Sequence, residues 1–293
     1  MEKRSFGAQI NNYLLNMELN MTEIMRGTGL VYGTDEAEVI WTSGSSIIFA
    51  GAGDDGVRAG YQNDVAYMGD GNDVAYLEAG NDLAFGEAGD DLLYGGSGND
   101  WLDGGEGNDF LWGGEGSDQL FGGEGDDTIY GVTGTNALYG SNGNDLIIGG
   151  DGTDVIFGGE DNDVILGNDG NDWISGGSGD NQISGGAGDD VIYGSGSREG
   201  RSNEFFYRGD DGNDTVNRFN AETDQFVIAA NINDTGIESI SDFSSRLESY
   251  VNEEDSGDFG TMVDLGDGNS IQLVGVAADD VIANLADFFT VAA

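Results

Sequence analysis

The feature that most constrains this chain is a repeat of nine residues. From Ala50 to Tyr193 the sequence divides without a gap into sixteen nonapeptides. Their fourth position is Gly in fourteen copies, their sixth is Asp in fourteen, and their eighth is Val, Ala, Leu or Ile in all sixteen. A fixed period sustained over so many copies is typical of solenoids, in which each repeat stacks on its neighbours. The segment before them, residues 41–49, keeps the apolar spacing but has no Asp.

The spacing within each nonapeptide predicts its conformation. Repeated Gly permits positive φ, so the first six residues can form a tight turn. The last three positions then form a short strand whose side chains alternate between two faces. Two nonapeptides would complete one flattened coil, with strands in two parallel sheets. The eighth positions face the interior of this coil, and they are Val57, Ala66, Ala75, Ala84, Leu93, Leu102, Leu111, Leu120, Ile129, Leu138, Ile147, Ile156, Ile165, Ile174, Ile183 and Ile192.

The sixth positions predict two ladders of acidic side chains, because residues 18 apart align on successive coils. One ladder comprises Asp55, Asp73, Asp91, Asp109, Asp127, Asp145, Asp163 and Asn181, and the other comprises Asp64, Asp82, Asp100, Asp118, Asn136, Asp154, Asp172 and Asp190. Their rungs would lie ~4.8 Å apart, where two bare carboxylates repel by ~1 kcal/mol even in water. A divalent cation between successive coils would reverse the sign of this interaction. We expect weaker binding at Asn136 and Asn181, since their amides are neutral.

Composition limits both the cation and the chemistry. The chain has no His and no Cys, which excludes a thiolate nucleophile, the usual zinc sites and a Ser-His pair. The oxygen ligands that remain, carboxylates and backbone carbonyls, suit calcium best. A formal net charge of −47 excludes nucleic acid as a partner. These observations predict a calcium-binding protein that is not an enzyme.

Calcium is predicted to be required for folding. Ordering nine residues costs roughly 9–18 kcal/mol of backbone entropy, whereas one buried aliphatic side chain returns only ~1.5–3 kcal/mol. An ion that binds only the folded form would supply the difference through linkage. Counting one site for most Asp-bearing turns, we expect roughly 10–16 calcium ions per chain.

The nonapeptide resembles the GGxGxDxUx repeat of RTX proteins, which bind calcium. This resemblance implies an all-β fold, a right-handed parallel β-roll or β-helix solenoid, with calcium as the cofactor. Residues 209–216 (GDDGNDTV) supply one more such loop, in which Asp214 would bind a further ion. The later segment DLGDGNSIQLVGV and the terminal Asp287-Phe288-Phe289 are similar to the C-terminal domain of RTX proteins, including the serralysin group. That similarity implies export to the extracellular space by the type I secretion machinery.

The chain is predicted to have three parts. Residues 1–31 form an N-terminal arm or cap with an amphipathic helix over 6–26, residues 32–197 form the β-roll, and residues 198–293 form a β-rich cap with the secretion signal. In this last part we predict strands at Gln225–Ile228, Thr261–Leu265 and Ser270–Val274, a helix over 237–251 and a final apolar strand. The N-terminal helix would either cover the first coil or dock a neighbouring surface.

No segment of the sequence predicts a membrane anchor. Asn11, Asn12 and Asn16 interrupt the N-terminal residues, which therefore lack the apolar run of ~7–15 residues that a Sec signal contains. No stretch approaches the ~20 apolar residues of a membrane span. A membrane partner is not expected.

The outward-facing seventh and ninth positions are heavily apolar. One sheet would present Tyr76, Tyr94, Phe110, Trp112 and Tyr130, and the other Tyr67, Phe85, Trp101, Phe121, Tyr139, Phe157 and Trp173. Such ribbons exceed the apolar surface that a monomer usually exposes. They favour a homo-oligomer or lateral assembly that serves as a surface layer, filament or biofilm component. The alternatives are a calcium-dependent adhesin or carbohydrate-binding module that contacts a glycan or cell surface, and a membrane-acting secreted effector.

Overall fold

The computed structural model describes residues 24–194, 202–208, 211–220, 222–229, 247–251, 259–266, 269–277, 281 and 289–292. The chain divides into two compact units, one ending at Thr128 and the other beginning at Ile129. Within the described residues, no helix is long and apolar enough to cross a membrane.

The first unit is a parallel β-solenoid. Its strands are β1 (Ile24–Tyr32), β2 (Val39–Ala52), β3 (Gly56–Arg58), β4 (Val65–Asp70), β5 (Val74–Tyr76), β6 (Leu83–Ala88), β7 (Leu92–Ser97), β8 (Trp101–Glu106), β9 (Phe110–Glu115) and β10 (Gln119–Glu124). β4, β6, β8 and β10 pair in that order, as do β3, β5, β7 and β9. Paired residues lie 18 apart, as Leu83 and Trp101 do. The prediction of two nonapeptides per coil is confirmed.

The second unit continues the same construction and ends in a mixed sheet. Its strands are β11 (Thr128–Thr133), β12 (Ala137–Asn142), β13 (Leu146–Asp151), β14 (Val155–Glu160), β15 (Val164–Asp169), β16 (Trp173–Gly177), β17 (Gln182–Ala187), β18 (Val191–Tyr193), β19 (Glu204–Tyr207), β20 (Asn213–Asn217), β21 (Gln225–Ala229), β22 (Leu247–Val251), β23 (Phe259–Gly266), β24 (Asn269–Val274) and β25 (Phe289–Ala292). One parallel series runs β12, β14, β16, β18, β20, β24, and the other runs β13, β15, β17, β19, β21, β25. β23 pairs antiparallel with both β22 and β24.

The interior of the coils is as the period predicts. Each of the sixteen eighth-position side chains, from Val57 to Ile192, is at most 1% exposed. The strands are longer than expected, however, because most of them span six residues instead of three. The first three residues of the following nonapeptide also pair with the next coil, as Gly105 does with Glu87. The turn is therefore short, and the first position of each nonapeptide faces inward together with the eighth.

Two helix predictions are wrong where the structure can test them. Of the N-terminal helix over 6–26, residues 1–23 lie outside the described residues, and Ile24–Arg26 belong to β1, which pairs in parallel with Val39–Trp41. Leu247–Val251, the end of the helix predicted over 237–251, forms β22, and the rest of that segment is not described. In both places a neighbouring strand satisfies the backbone, and such tertiary pairing overrides a short helical pattern of apolar residues. The strands predicted near Gln225, Thr261 and Ser270 and the final apolar strand are confirmed.

One turn residue is held in an unfavourable conformation. Val132 occupies the second position of its nonapeptide with φ of 86°, whereas the equivalent Gly150 has φ of 119°. Positive φ is costly for a β-branched residue and free of that cost for Gly. We expect Val132→Gly to raise the free energy of unfolding by ~1 kcal/mol, measured by urea denaturation in saturating calcium. The adjacent Thr133→Gly serves as the control and should lower stability. A lower urea midpoint for Val132→Gly would contradict this account.

Candidate metal centre

The Asp residues at the sixth position are buried. All fourteen in the nonapeptides, and Asp214 in the loop that follows them, are at most 3% exposed. Each of the fourteen stands immediately before a strand, at the end of the turn that leads into it. Fifteen carboxyl groups of an acidic chain are therefore held away from water, which is unfavourable unless something compensates their charge.

In these carboxylates, Oδ1 accepts a hydrogen bond from a backbone N–H group of the preceding coil. The N–H of Asp73 donates to Oδ1 of Asp91 at 2.7 Å, and the N–H of Asp91 donates to Oδ1 of Asp109 at 2.8 Å. The pattern persists to the end of the series, where the N–H of Asp190 donates to Oδ1 of Asp214 at 2.9 Å. Successive rungs are thus joined by hydrogen bonds, which the sequence did not indicate. Each such bond fixes the orientation of the carboxylate that accepts it.

The second oxygen has no such partner. In Asp91, Asp100, Asp109, Asp163 and Asp190, the buried Oδ2 atom accepts no hydrogen bond. Because Oδ1 accepts a backbone N–H group, the carboxylate cannot rotate freely, and Oδ2 points in a fixed direction. An ionised carboxylate buried in this way is strongly destabilising unless a cation or a proton reaches it.

A backbone carbonyl from the next coil points to the same place. A Cβ atom built on Gly104 would lie 2.2 Å from Oδ2 of Asp109 and 2.6 Å from the carbonyl oxygen of Gly122. On Gly158 it would lie 2.3 Å from Oδ2 of Asp163 and 2.6 Å from the carbonyl oxygen of Gly176. Calcium takes both carboxylate and backbone carbonyl oxygens as ligands. These oxygens are therefore a donor set of the kind that calcium prefers.

The remaining ligands would come from the backbone. Within the described ranges, no three acidic side chains converge on one point. Calcium takes 6–8 oxygen ligands, and backbone carbonyls serve as well as carboxylates. A site made of one or two Asp oxygens and several turn carbonyls accounts for the combination of Gly and Asp in the repeat.

Burial raises the pKa of these carboxyl groups. The pKa of Asp91 and that of Asp163 rise to about 8, mainly through burial and also through neighbouring carboxylates, against the lowering effect of a backbone N–H. The pKa of Asp214 rises to about 9 for the same leading reason. Near neutral pH, a carboxyl group without a cation would hold a proton for much of the time. Calcium binding would release these protons.

Asn136 and Asn181, which replace Asp at the sixth position, present an amide nitrogen where the other nonapeptides have Oδ2. Oδ1 of Asn181 accepts the N–H of Asp163 at 2.8 Å, so its Nδ2 takes the direction that Oδ2 has in an Asp. That Nδ2 lies 2.9 Å from the Cβ position of Gly176, and Nδ2 of Asn136 lies 2.7 Å from that of Gly131. An amide N–H group carries a partial positive charge and therefore repels a cation. This geometry supports the expectation of weak binding at both rungs.

Sequence reasoning missed the ends of the ladders. The N–H of Glu38 donates to Oδ1 of Asp55 at 2.8 Å, and Glu38 is itself buried. Its Oε2 accepts the N–H of Thr34 at 3.0 Å, so a turn residue satisfies this carboxylate. At the far end, the N–H of Asn203 donates to Oδ1 of Asp224 at 2.8 Å. The signal was present, because Glu38 stands two residues before the buried Ile40, as each Asp does before its aliphatic residue.

A second ladder of side chains lies on the exposed fifth position. The N–H of Asp90 donates to Oδ1 of Asn72 at 3.0 Å, and the N–H of Asn108 donates to Oδ1 of Asp90 at 2.8 Å. These bonds run in the opposite direction to those of the buried ladder. They explain the frequency of Asn and Asp at this position without any metal.

A parallel β-solenoid with a buried Asp at each turn defines a calcium-binding β-roll. The family model for the RTX calcium-binding nonapeptide repeat matches residues 32–66, 42–75, 67–102, 94–129, 130–165 and 166–197. The chain belongs to this family, which binds several calcium ions per protein. Membership implies a secreted, extracellular calcium-binding protein whose repeats form a structural, non-catalytic fold.

Comparison with solved structures finds similarity to the extracellular lipase LipA from Serratia marcescens. The two share 17% identity with a TM-score of 0.33, over 91% of this chain and 40% of the lipase. The chain therefore spans well under half the length of that enzyme. Comparison with curated protein sequences finds no match.

Proposed function

We propose that this protein is an extracellular structural component that folds on calcium and then self-associates, as a surface-layer, filament or biofilm protein does. The observation that supports it is an exposed apolar surface on the first unit. Of the terminal residues that carry the predicted secretion signal, Asp287 and Phe288 lie outside the described ranges. Export by the type I machinery therefore belongs to this proposal.

The surface consists of two parallel rows, which we call the Ile47 face. The first row is Leu30, Ile47, Val65 and Leu83, which pair directly on successive strands. In this row Leu30 is 59% exposed, Ile47 45% and Leu83 39%. The second row is Tyr32, Phe49, Tyr67 and Phe85. Neither row contains a charged side chain, although the whole chain is strongly acidic.

The aromatic row disfavours the carbohydrate-binding alternative. Ring centroids of Phe49 and Tyr67 lie 5.0 Å apart with planes at 7°, and those of Tyr67 and Phe85 lie 4.9 Å apart with planes at 9°. Each ring therefore covers the face of the next, and mainly edges reach the solvent. A sugar that stacks on an aromatic side chain needs a ring face. A row of exposed ring edges can pack closely against another apolar surface.

Other outward apolar residues are more covered than those of the Ile47 face. Phe110 and Trp112 are half-buried, and the ring of Phe110 lies 5.6 Å from that of Tyr94 on the preceding coil. Among the described residues, the large apolar side chains that are exposed outside the Ile47 face are Tyr61 and Val164. Covering the Ile47 face would therefore remove more exposed apolar surface from water than covering any other described surface.

A second copy of the chain is the partner that fits this surface best. A flat apolar face can pack against its own copy across a two-fold axis. Burying apolar surface contributes ~25 cal/mol per Å² before the entropy of association is subtracted. Calcium contributes because it reduces the repulsion between acidic chains.

Sedimentation velocity in about 10 mM calcium, above the ~10⁻⁴–10⁻³ M range of extracellular modules, tests the proposal. We expect the wild type to associate with rising protein concentration, and Ile47→Thr/Leu83→Thr to remain a monomer. Calcium-induced circular dichroism should be nearly unchanged in this variant, because Thr is compatible with a strand. Val164→Thr is the matched control and should associate as the wild type does. A wild type that stays monomeric at high concentration would contradict the proposal.

The half-buried ribbon can be tested separately. Replacing Phe110 and Trp112 together by Thr removes apolar side chains from another outer surface. If association depends on the Ile47 face, this variant should retain most of it. Loss of assembly only in this variant would move the interface to the Phe110 surface.

A further inference from the structure

The first position of the nonapeptide differs between the beginning and the rest of the repeat. From Gly86 onward it is Gly in every copy. In the first four copies it is instead Ala50, Ala59, Met68 and Leu77, and all four side chains are fully buried. The sixth position is Asp in these four copies as well, so a count of Asp residues treats them as ordinary.

The structure shows what an inward side chain at this position would meet. A Cβ atom built on Gly86 would lie 2.3 Å from Oδ2 of Asp91 and 2.3 Å from the carbonyl oxygen of Gly104. On Gly185 it would lie 2.1 Å from Oδ2 of Asp190. A side chain at the first position would therefore crowd Oδ2 of the Asp five residues later and the neighbouring carbonyl oxygen, which are atoms that would bind a cation. An apolar side chain at the first position and a cation bound by the Asp at the sixth position therefore compete for Oδ2.

We propose that the first four nonapeptides, residues 50–85, bind no calcium, because buried apolar side chains at the first position keep a cation away from Oδ2 there. Oδ2 accepts no hydrogen bond in Asp55, Asp64, Asp73 and Asp82 either. An unpartnered Oδ2 is thus common to both groups of nonapeptides. The first position distinguishes them, since Met68 and Leu77 carry a side chain there and Gly carries none.

The proposal gives a specific ion count. Gly at the first position and Asp at the sixth occur together in ten nonapeptides and again in the loop from Gly209 to Asp214. The Asp residues concerned are Asp91, Asp100, Asp109, Asp118, Asp127, Asp145, Asp154, Asp163, Asp172, Asp190 and Asp214. We expect about eleven ions, compared with about fifteen if every Asp of the ladders bound one. This count does not depend on self-association.

Native mass spectrometry of the full chain at saturating calcium measures the count directly. The wild type should bind about eleven ions. Leu77→Gly removes the first-position side chain from the nonapeptide of Asp82 and should add one ion, whereas Gly104→Ala places a Cβ against Oδ2 of Asp109 and should remove one. Leu93→Ala is the control, since it shortens an interior side chain at an eighth position, and its count should equal that of the wild type.

Two results would overturn the proposal. One is a wild-type count of about fifteen ions, which stands even if a variant fails to fold. The other is a folded Leu77→Gly chain, shown by its circular dichroism, whose count is the same as that of the wild type. A gain of one ion in Leu77→Gly and a loss of one in Gly104→Ala would establish the competition.

Discussion

In calcium-free buffer, lowering the pH from about 8 to about 5 should increase the β structure of this protein. The reason is that burial raises the pKa of the ladder carboxyls, to about 8 for Asp91 and Asp163 and about 7 for Asp118 and Asp190. An unfolded Asp has a pKa near ~3.9. Between these values the folded chain binds more protons than the unfolded chain, so its stability rises as the pH falls.

The size of this effect is set by the number of carboxyls. Each proton taken up on folding adds ~1.4 kcal/mol of stability per pH unit. Several such groups act in the same direction, which gives a steeper dependence than most small domains show. The gain should end below about pH 4, where unfolded carboxyls are also protonated.

Far-UV circular dichroism of the calcium-stripped chain across this pH range is the measurement. Asp91→Asn/Asp163→Asn provides a control, because two rungs with strongly raised pKa values lose their titrating groups and keep an Oδ1 acceptor. This variant should have more β structure than the wild type near pH 8 and a weaker dependence on pH. A calcium-free wild type that loses structure on acidification would contradict the account.

Removal of calcium near pH 8 should unfold most of the repeat. At that pH the carboxyls of Asp73, Asp100 and Asp109, whose pKa values rise only to about 6, are ionised when the chain is free of metal. Their buried Oδ2 atoms accept no hydrogen bond. One aliphatic side chain per nonapeptide, such as Leu102 or Ile156, cannot offset both that cost and the backbone entropy. About eleven divalent ions would roughly halve the formal net charge of −47.

The period of nine residues was sufficient to predict the coil, its interior and the alignment of the Asp ladders. Side-chain spacing determines these features, since Leu93 and Leu111 must face one way if residues 18 apart are paired. The bonds between rungs could not be predicted in the same way. Their donors are backbone N–H groups, such as those of Asp73 and Asp91, which nearly every residue has. A pattern of side-chain types therefore does not indicate which oxygen they bind.

Backbone pairing between strands also explains the wrong helix prediction and the missed role of the first position. Residues 24–26 follow a helical spacing, but a neighbouring strand pairs with them, and a short apolar pattern is compatible with either structure. The inward direction of the first position became visible only when the strands proved to be six residues long. The sequence pattern assigned the first position to the turn, whereas the structure buries the first-position side chains of Met68 and Leu77 completely.

The measurement that tests the central claim most directly is a calcium titration of the wild-type chain, followed by far-UV circular dichroism near pH 8. The account predicts a largely unfolded chain in excess chelator and a cooperative gain of β structure as free calcium rises to ~10⁻⁴–10⁻³ M. Magnesium should not replace calcium, because it dehydrates reluctantly and demands octahedral geometry. A β-rich spectrum that persists unchanged in excess chelator at this pH would contradict the claim that calcium holds the coils together.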